Sequence, residues 1–324
     1  MDKPQHTEQE LEKELWDVKV SVIVPAYNEE ENIPLLVEAF ENLFKKYNID
    51  SWEIIIVDDG SDDRTFQVAS ELAKKYPWLK AFRHGRNLGK THAILTGFFH
   101  SRGKYIAIFD ADLQFDEEDL YKMAVEIERQ NVDLIAGYKV GKYEKKFVSR
   151  VYNWLTRKLF GVPVRDMNAM KIMRREVLEE IPLRKDWHRY IVALAWTYGF
   201  SVSEMPIRLR PRKFGESKYS GKWRIIIGIA DLIAVRLYTI LTQKPLLTFG
   251  TIGSVFLGLG IITGIIAIIM RMMGHGFRPI LFLVVLLVIV GLLFFLMGFL
   301  GEVVASIHDE ISKIRKTSQK SRNL

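Results

Sequence analysis

Two long uncharged segments near the C-terminus constrain the fold of this chain more than any other feature of its sequence. Pro245 to Met270 contains no charged residue in 26 positions, and Pro279 to Gly301 contains none in 23. A helix of roughly 20 apolar residues crosses the hydrocarbon core of a bilayer, so each segment is long enough to span. Only eight residues, RMMGHGFR, link them. We therefore predict a transmembrane hairpin over 245–301, with helices at 245–270 and 279–301.

The distribution of positive charge predicts the orientation of this hairpin. Lys and Arg favour the cytoplasmic segments of membrane proteins. The tail sequence SKIRKTSQKSR holds five of them, whereas the link between the helices holds two. We therefore expect residues 1 to about 240 and the C-terminal tail to lie on the cytoplasmic side of a cell membrane. The net charge of +7 suits a protein held against anionic lipid.

Composition excludes several other chemistries. The chain has no cysteine, which rules out disulfides, thiol nucleophiles and cysteine-bound zinc. Nucleic acid is the other usual partner of a basic chain, but the sequence has neither a zinc-ligand spacing nor an aromatic nucleic-acid signature. We therefore expect a membrane, and no nucleic acid, as the partner of the positive charge.

Strand-like and helix-like segments alternate over the first 140 residues. Short runs of apolar residues, typical of buried strands, are separated by segments with apolar residues at helical spacing; the strand-like runs are VKVSVIVPAY, WEIIIVDDG, KAFRHG, KYIAIFDAD and VDLIAGYKV. This alternation predicts an α/β fold whose mostly parallel sheet is covered on both faces. Ligands of such sheets bind beyond the carboxyl ends of the strands. The polar sequences PAYNEE, DDGSDD and DADLQ follow three of these strands.

The sequence FDADLQ, after the fourth strand, predicts a divalent-metal site. If the backbone stays extended, Asp110, Asp112 and Gln114 share one face. Two carboxylates and an amide oxygen suit Mg²⁺ or Mn²⁺, with phosphates and water completing the coordination. The alternative is a solvated turn in which an Asp caps the next helix. The position between a buried strand and a helix, beside two other polar loops, favours the metal.

Two other loops carry weaker signals. DDGSDD has the composition of an Asx turn with a glycine at positive φ, and its functional interpretation is that Asp58 or Asp59 accepts hydrogen bonds from a ribose or a base. GRNLGKT looks like a phosphate loop, but only three residues separate Gly85 from Gly89, where that loop requires four. We interpret it as a turn followed by the start of a helix.

Five motifs, in their order along the chain and followed by the hairpin, resemble the polyprenyl-phosphate glycosyltransferases. The motifs are VIVPAYNEEENI, IIIVDDGSDDRT, RNLGKTHAILTGF, FDADLQ and RKFGESKYSGKWR. Dolichol-phosphate mannose synthase and the undecaprenyl-phosphate sugar transferases are familiar members of this group, whose enzymes invert and have the GT-A fold. The resemblance covers about residues 18–305. It implies transfer of a sugar from a UDP- or GDP-sugar to undecaprenyl or dolichyl phosphate, with Mg²⁺ or Mn²⁺ as cofactor.

The resemblance also implies roles for individual residues. The donor nucleotide is expected against Pro25, Tyr27, Glu29, Asp58, Asp59 and Ala111. The metal on the diphosphate is expected at Asp110, Asp112 and Gln114, the two acids being the catalytic pair. Near the diphosphate or the acceptor we expect Arg212, Ser217 and Lys218. The acceptor phosphate is expected at Lys139, Lys145 and Ser149, where dolichol-type members carry two arginines and a serine.

These expectations divide the chain into five parts. They are an N-terminal extension (1–17), a GT-A catalytic domain (18–221), an interfacial amphipathic helix (222–244), the transmembrane hairpin (245–301) and a basic cytoplasmic tail (302–324). The segment 147–161 is also amphipathic and suits the headgroup layer.

The resemblance favours a homo-oligomer, a tetramer. Two alternatives are a transferase of the same fold that acts on another lipid, such as a diacylglycerol, and a non-catalytic membrane scaffold. The intact DAD and GESK sequences argue against the scaffold.

Overall fold

The computed structural model describes residues 20–140, 146–210, 223–275 and 278–322. By its internal contacts the chain divides into two compact units, Met1–Ile229 and Ala230–Leu324. The boundary between the units falls inside one helix, Trp223–Gln243. The predicted extension 1–17 and the sequence RKFGESKYSGK lie outside the described residues.

The first unit alternates between strands and helices. Its strands are β1 Val20–Ala26, β2 Trp52–Asp58, β3 Leu79–Arg83, β4 Tyr105–Ile108, β5 Leu134–Val140, β6 Lys171–Arg174 and β7 Val202–Arg208. Its helices are α1 Asn32–Tyr47, α2 Thr65–Lys75, α3 Lys90–His100, α4 Glu117–Gln130, α5 Lys146–Phe160, α6 Arg175–Glu180 and α7 Ile191–Thr197, with a 3₁₀ turn at Trp187–Tyr190. Helix α8, Trp223–Gln243, follows the undescribed segment.

The described strands form one sheet in the order β3-β2-β1-β4-β6-β5-β7. Strand β6 runs antiparallel to its neighbours β4 and β5, and the other adjacent pairs are parallel. The predicted α/β fold with a mostly parallel sheet is therefore confirmed. Because β2, β1 and β4 are parallel neighbours, their carboxyl ends lie side by side.

Two strands were absent from the sequence prediction. β6 has only the four residues KIMR, too few to show a strand period. β7 has the sequence VSEMPIR and lies at the edge of the sheet. An edge strand tolerates Pro206, whereas a proline within an apolar run argues against an internal strand.

The core explains the position of the helices. Helix α1 buries apolar side chains at intervals of three and four residues, and the ring of Phe40 meets that of Phe109 edge-on at 5.3 Å. Helix α3 packs closely on β1, because a Cβ atom added at Gly97 would overlap Cγ2 of Ile23. The amino end of α3 lies at the carboxyl edge of the sheet, where Lys90 contacts Asp110 just beyond β4.

The second unit contains two long helices, α9 Pro245–Met272 and α10 Arg278–Arg322. Both are long and apolar enough to cross a membrane. Most of their large apolar side chains are exposed, for example Ile261 at 62% and Phe282 at 78%. The first helix ends two residues later than the predicted 270. The second continues well beyond the predicted 301, through most of the segment predicted as a separate tail.

Candidate active site

The loops after β1 and β2 are joined into one hydrogen-bonded unit. The amide of Asn28 donates to Oγ of Ser61 at 2.9 Å, and the amide of Asp62 donates to Oδ1 of Asn28 at 3.0 Å. The amide of Glu29 donates to Oγ1 of Thr65 at 2.8 Å. Asn28 holds a left-handed backbone, with φ of 53°. The sequences PAYNEE and DDGSDD therefore form a single surface at the carboxyl edge of the sheet.

Asp59 is buried and fixes the neighbouring turn. One of its carboxylate oxygens accepts a hydrogen bond from the Leu88 amide at 2.9 Å and lies 2.8 Å from Nδ1 of His84. The other oxygen accepts from the Gly89 amide at 2.8 Å. Gly89 has φ of 96°, and α3 begins at the next residue. The interpretation of GRNLGKT as a turn and helix start is thus confirmed.

Asp58 is fully buried beneath the same loop. Its Oδ1 accepts a hydrogen bond from the Ser61 amide at 3.0 Å, and its Oδ2 lies 3.2 Å from Nε of Arg83. The structure thus gives Asp58 and Asp59 definite supporting contacts. Their predicted contact with a ribose or base stays a prediction.

The other predicted donor residues lie on or beside this surface. Pro25 belongs to β1 and pairs with Val57, while Glu29 accepts a hydrogen bond from Nδ2 of Asn32 at 2.6 Å. The Tyr27 hydroxyl lies 3.3 Å from Oδ2 of Asp62, and the charge of Asp62 raises the pKa of that hydroxyl.

The FDADLQ motif is a turn and not an extended strand. β4 ends at Ile108, and Leu113 adopts a left-handed backbone with φ of 58°. The expectation that Asp110, Asp112 and Gln114 share a face because the backbone stays extended is therefore wrong. Asp112 accepts a hydrogen bond from the Gln114 amide at 3.3 Å, as in an Asx turn. Ala111, between the two acids, is buried.

A different acid caps the following helix. The side chain of Asp116 accepts a hydrogen bond from the Glu118 amide at 3.0 Å, at the amino end of α4. Capping therefore accounts for Asp116 but not for Asp110 or Asp112. Within the described residues, no group of three or more His, Asp or Glu side chains lies close enough to hold a metal on its own.

Asp110 is paired with a lysine that sequence reasoning missed. Nζ of Lys90 lies 2.5 Å from Oδ1 of Asp110. Loss of solvent acts to raise the pKa of the Asp110 carboxyl, but the ammonium of Lys90, helped by Lys171 and Lys139, outweighs it and holds that pKa below its usual range. The sequence GRNLGKT lacks the glycine spacing of a phosphate loop, so sequence reasoning predicts only the start of a helix at Lys90 and no functional role.

Lys171 is the second residue that sequence reasoning missed. It is the first residue of β6, where it pairs with Ile108 of β4 and Ala136 of β5. Its side chain is buried, with the residue only 5% exposed. Burial lowers the pKa of Lys171 to about 8, and the positive charge of Lys90 acts in the same direction. The available signal was a lysine inside the otherwise apolar sequence AMKIM.

Asp166 completes this group of charges. It is buried; Oδ1 accepts a hydrogen bond from the Asn168 amide at 2.9 Å, and Oδ2 lies 3.8 Å from Nζ of Lys139. That Oδ2 accepts no hydrogen bond from the residues that the structure describes. We call Lys90, Lys139, Lys171, Asp110 and Asp166 the lysine cluster.

A buried histidine adjoins the lysine cluster. Nδ1 of His188 lies 2.9 Å from Oγ1 of Thr91. Burial, followed by the charge of Lys90, holds the pKa of His188 far below its ordinary value. The ring is therefore neutral and adds no charge to the cluster.

Several predicted residues lie outside the described part of the chain. They are Lys145, Arg212, Ser217 and Lys218. Ser149 belongs to helix α5, but its side chain is not described. The chain leaves the described region at Arg210, whose amide donates to the carbonyl oxygen of Gln114 at 2.8 Å. The Arg210 guanidinium lies 2.6 Å from Asp116 and 3.2 Å from Glu117.

Comparisons with known sequences identify relatives along most of the chain. Residues 21–182 match the family described as glycosyl transferase family 2. Dodecaprenyl-phosphate galacturonate synthase from Rhizobium johnstonii is 31% identical over 304 residues, which cover 89% of this chain and 88% of that protein. Undecaprenyl-phosphate 4-deoxy-4-formamido-L-arabinose transferase from an Enterobacter species is 30% identical over 309 residues, which cover 90% of each.

Solved structures share the fold over about three quarters of the chain. Glucosyl-3-phosphoglycerate synthase from Mycobacterium tuberculosis, in complex with Mn²⁺, UDP-glucose and phosphoglyceric acid, has a TM-score of 0.57 and 19% identity. The match covers 74% of this chain and 85% of that one. The same enzyme in complex with Mg²⁺ and UDP has a TM-score of 0.53 and 18% identity. At these identities the likeness shows the fold alone.

Proposed function

Since the chain belongs to glycosyl transferase family 2, we propose that it moves a sugar from a nucleotide diphosphate to a membrane polyprenyl phosphate. The observation that carries this proposal is the similarity, over about nine-tenths of the chain, to two enzymes named for dodecaprenyl-phosphate and undecaprenyl-phosphate products. The aligned length leaves room for the apolar hairpin as well as the catalytic domain. A hydrophobic acceptor explains why such a hairpin accompanies a nucleotide-binding fold.

The donor nucleotide binds along the joined loops after β1 and β2. The hydrogen bonds from Asn28 to Ser61 and from Asp62 to Asn28 hold these loops in one position before substrate arrives. Preorganisation of this kind lowers the entropy that binding would otherwise cost. The donor-contacting residues in this proposal are Pro25, Tyr27, Glu29, Asp58, Asp59 and Ala111.

Asp110, Asp112 and Gln114 would hold Mg²⁺ or Mn²⁺. The residues fit, because Mg²⁺ in nucleotide sites is commonly bound by one or two carboxylates together with substrate phosphates and water. When bound, the metal would stabilise the charge that develops on the departing diphosphate. The protein alone uses Lys90 to neutralise Asp110, at an Nζ–Oδ1 distance of 2.5 Å. Crystals of the M. tuberculosis enzyme with Mn²⁺ and UDP-glucose support a metal in this fold.

We assign the sequence RKFGESKY, which lies outside the described residues, to the diphosphate side of the site. The last described residue before it, Arg210, donates its amide hydrogen to the carbonyl oxygen of Gln114 at 2.8 Å, beside the proposed metal ligands. Arg212, Ser217 and Lys218 then supply charge-assisted hydrogen bonds to the leaving diphosphate or to the acceptor.

The acceptor phosphate attacks without a strong general base. A phosphomonoester has its second pKa near 6 and is already an anion at neutral pH. One of its oxygens forms a bond to the anomeric carbon, while the bond from that carbon to the β-phosphate oxygen breaks. The electron pair leaves with the nucleoside diphosphate, and the anomeric configuration inverts. Lys139, Lys145 and Ser149 bind the attacking phosphate in this proposal.

The apolar helices and two amphipathic helices hold the enzyme at the cytoplasmic face of a cell membrane. On α5, Trp154 is 54% exposed, and Nζ of Lys158 lies 5.3 Å from the centre of its ring. A tryptophan beside a lysine suits the headgroup layer. We propose that α5 and the segment 222–244 lie in this layer, that helices α9 and α10 span the bilayer, and that the protein forms a homo-oligomer.

A sugar-transfer assay tests this proposal. The purified protein would be supplied with Mn²⁺, undecaprenyl phosphate and a panel of UDP- and GDP-sugars, and the lipid extract would be examined for sugar. We expect at least one sugar to enter the lipid fraction only when a polyprenyl phosphate is present. Transfer to a diacylglycerol instead would support the other lipid acceptor. No transfer and no lipid-stimulated release of nucleoside diphosphate would contradict both.

A further inference from the structure

We propose that Lys171 binds the phosphate of the lipid acceptor together with Lys139, and that Asp166 positions both ammonium groups. This inference rests on the proposed function, because it names a residue of the acceptor site. Lys171 is not among the residues that the family resemblance implies for the acceptor. It follows from burial, charge and sheet order.

Lys171 carries a positive charge in a largely buried position. The residue is 95% buried, and the negative charges that act on its ammonium are those of Asp110 and Asp166. A buried charge without a hydrogen-bonded partner is costly, so lysines are rarely kept in such places unless they are paired. Oδ2 of Asp166 is the complementary observation, since this oxygen is buried and, although it lies 3.8 Å from Nζ of Lys139, it accepts no hydrogen bond from the described residues.

The charge of the lysine cluster favours an anion. Three lysines face two carboxylates, with Asp110 already paired to Lys90 and Asp166 lying 3.8 Å from Lys139. Asp110 and Asp166 are the acids that act on Lys171, and Lys90 and Lys139 are the cations that act on it. These five groups together carry one net positive charge in a poorly solvated site. A phosphate with a charge of about −1.5 to −2 would compensate it and give the ammonium its hydrogen-bond acceptors.

The order of strands separates the acceptor side from the donor side. The loops of the donor surface follow β1 and β2, on one side of β4. Lys171 and Lys139 belong to β6 and β5, on the other side of β4. The metal motif follows β4 and lies between these two groups. An inverting displacement requires the nucleophile and the leaving diphosphate on opposite sides of the sugar, which this order provides.

The purely structural explanation of Lys171 makes a different prediction. A lysine kept for stability forms close hydrogen bonds, and its replacement destabilises the protein. Burying a charge that lacks a hydrogen-bonded partner costs free energy, so we expect an apolar residue of similar size at this position to leave stability equal or to raise it. The thermal stability of Lys171→Met therefore distinguishes a structural lysine from one kept for binding.

Calorimetry with geranyl phosphate, a short polyprenyl phosphate, tests the assignment without any sugar transfer. The full-length protein in detergent would be titrated as wild type, Lys171→Met, Lys139→Met and the double variant. We expect each single change to weaken binding by roughly ten- to hundredfold, the loss of one charge-assisted hydrogen bond. The double variant should lose less than the product of the two effects, because both lysines contact the same ligand.

Two matched measurements accompany this titration. Affinity for UDP with Mn²⁺ should stay within about threefold of wild type in Lys171→Met, and its melting temperature should stay equal or rise. Lys80→Met is the matched control. It removes a partly buried lysine, paired with Glu53 at 2.6 Å near the amino ends of β2 and β3, and it should leave geranyl-phosphate affinity unchanged.

Three results would overturn the inference. Unchanged geranyl-phosphate affinity in Lys171→Met would remove Lys171 from the acceptor site. An equal loss of UDP affinity would place it on the donor diphosphate. A fall of several degrees in melting temperature, with both ligands lost, would make it structural. The two proposals can fail separately. If the wild type binds geranyl phosphate through Lys171 but transfers no sugar, the proposed function is contradicted and this binding site is upheld.

Discussion

At the scale of single residues, the site depends on aspartates that have different roles although they lie in similar acidic sequences. Asp58 and Asp59 are buried and support loops, while Asp116 caps a helix. Asp110 and Asp112 are the acids that we propose as ligands for a metal. The DAD pattern could be found from the sequence because it follows a buried strand. The contacts that sort the neighbouring acids come from loops distant in sequence and were not predictable.

Asp112→Asn tests the metal assignment. We expect sugar transfer to fall below about a tenth of wild type at saturating Mn²⁺, because an amide is a poorer ligand for a hard cation than a carboxylate. The melting temperature should be nearly unchanged, since the substitution keeps the size of the side chain. Asp119→Asn, on the adjoining helix α4, is the control and should retain activity. Activity of Asp112→Asn close to wild type would remove this residue from the metal site.

Lys90→Met tests the pairing with Asp110 through stability. Without Lys90 the Asp110 carboxylate loses its partner at 2.5 Å, so the metal-free protein should be destabilised. Mn²⁺ would then compensate the unpaired carboxylate, and a ligand that binds only the folded state stabilises it. We therefore expect Mn²⁺ to raise the melting temperature of Lys90→Met by more than that of wild type. Equal shifts in both proteins would show that Lys90 and the metal act independently.

At the scale of elements, the main departure from the sequence prediction is the turn after β4. The alternation of the side chains would hold only for an extended backbone, whereas the left-handed residue Leu113 reverses the chain within the motif. The sequence DADLQ does not predict this left-handed conformation, because leucine rarely adopts a positive φ. Strands that were long and apolar were predicted well. The four-residue β6, which carries Lys171, was too short to be recognised.

Glycine contacts hold the two long helices together. A Cβ atom added at Gly291 would lie 2.7 Å from Cγ of Leu257 and 2.9 Å from the carbonyl oxygen of Gly253. We expect Gly291→Leu to force the helices apart and to lower stability in detergent by about 1–3 kcal/mol, the usual cost of overpacking. Thermal denaturation of the purified protein measures this. Gly258→Leu is the control, because nothing lies within 4 Å of a Cβ atom there, and a similar loss in both variants would contradict the packing.

At the scale of the whole molecule, charge and hydropathy predict how the chain meets the membrane. Helices α9 and α10 are each long and apolar enough to span, and the positive charges are concentrated outside their link. We expect both the N-terminal domain and the C-terminal tail to be cytoplasmic. Protease added to sealed inside-out vesicles should therefore cut both ends of the chain. Protection of either end would mean a different number of spans.

The fold class and the hairpin could be predicted from the sequence because each rests on a pattern repeated over many residues. The lysine cluster could not, because its members come from α3, the turn after β4, β5, the loop before β6 and β6 itself. Each of these segments reads as ordinary structure by itself. Only the order of the strands, with β6 inserted between β4 and β5, brings Lys171 near Asp110 and Lys139.

The most direct test of the central claim is the structure of the lipid product. Wild-type protein in nanodiscs would receive undecaprenyl phosphate, Mn²⁺ and the sugar nucleotide chosen by the transfer assay, and the lipids would be analysed by mass spectrometry and NMR. We expect one sugar on the lipid phosphate, an anomeric configuration opposite to that of the donor, and no product after EDTA treatment. A sugar attached to another lipid, a retained configuration, or undiminished transfer in EDTA would contradict a metal-dependent inverting transfer to polyprenyl phosphate.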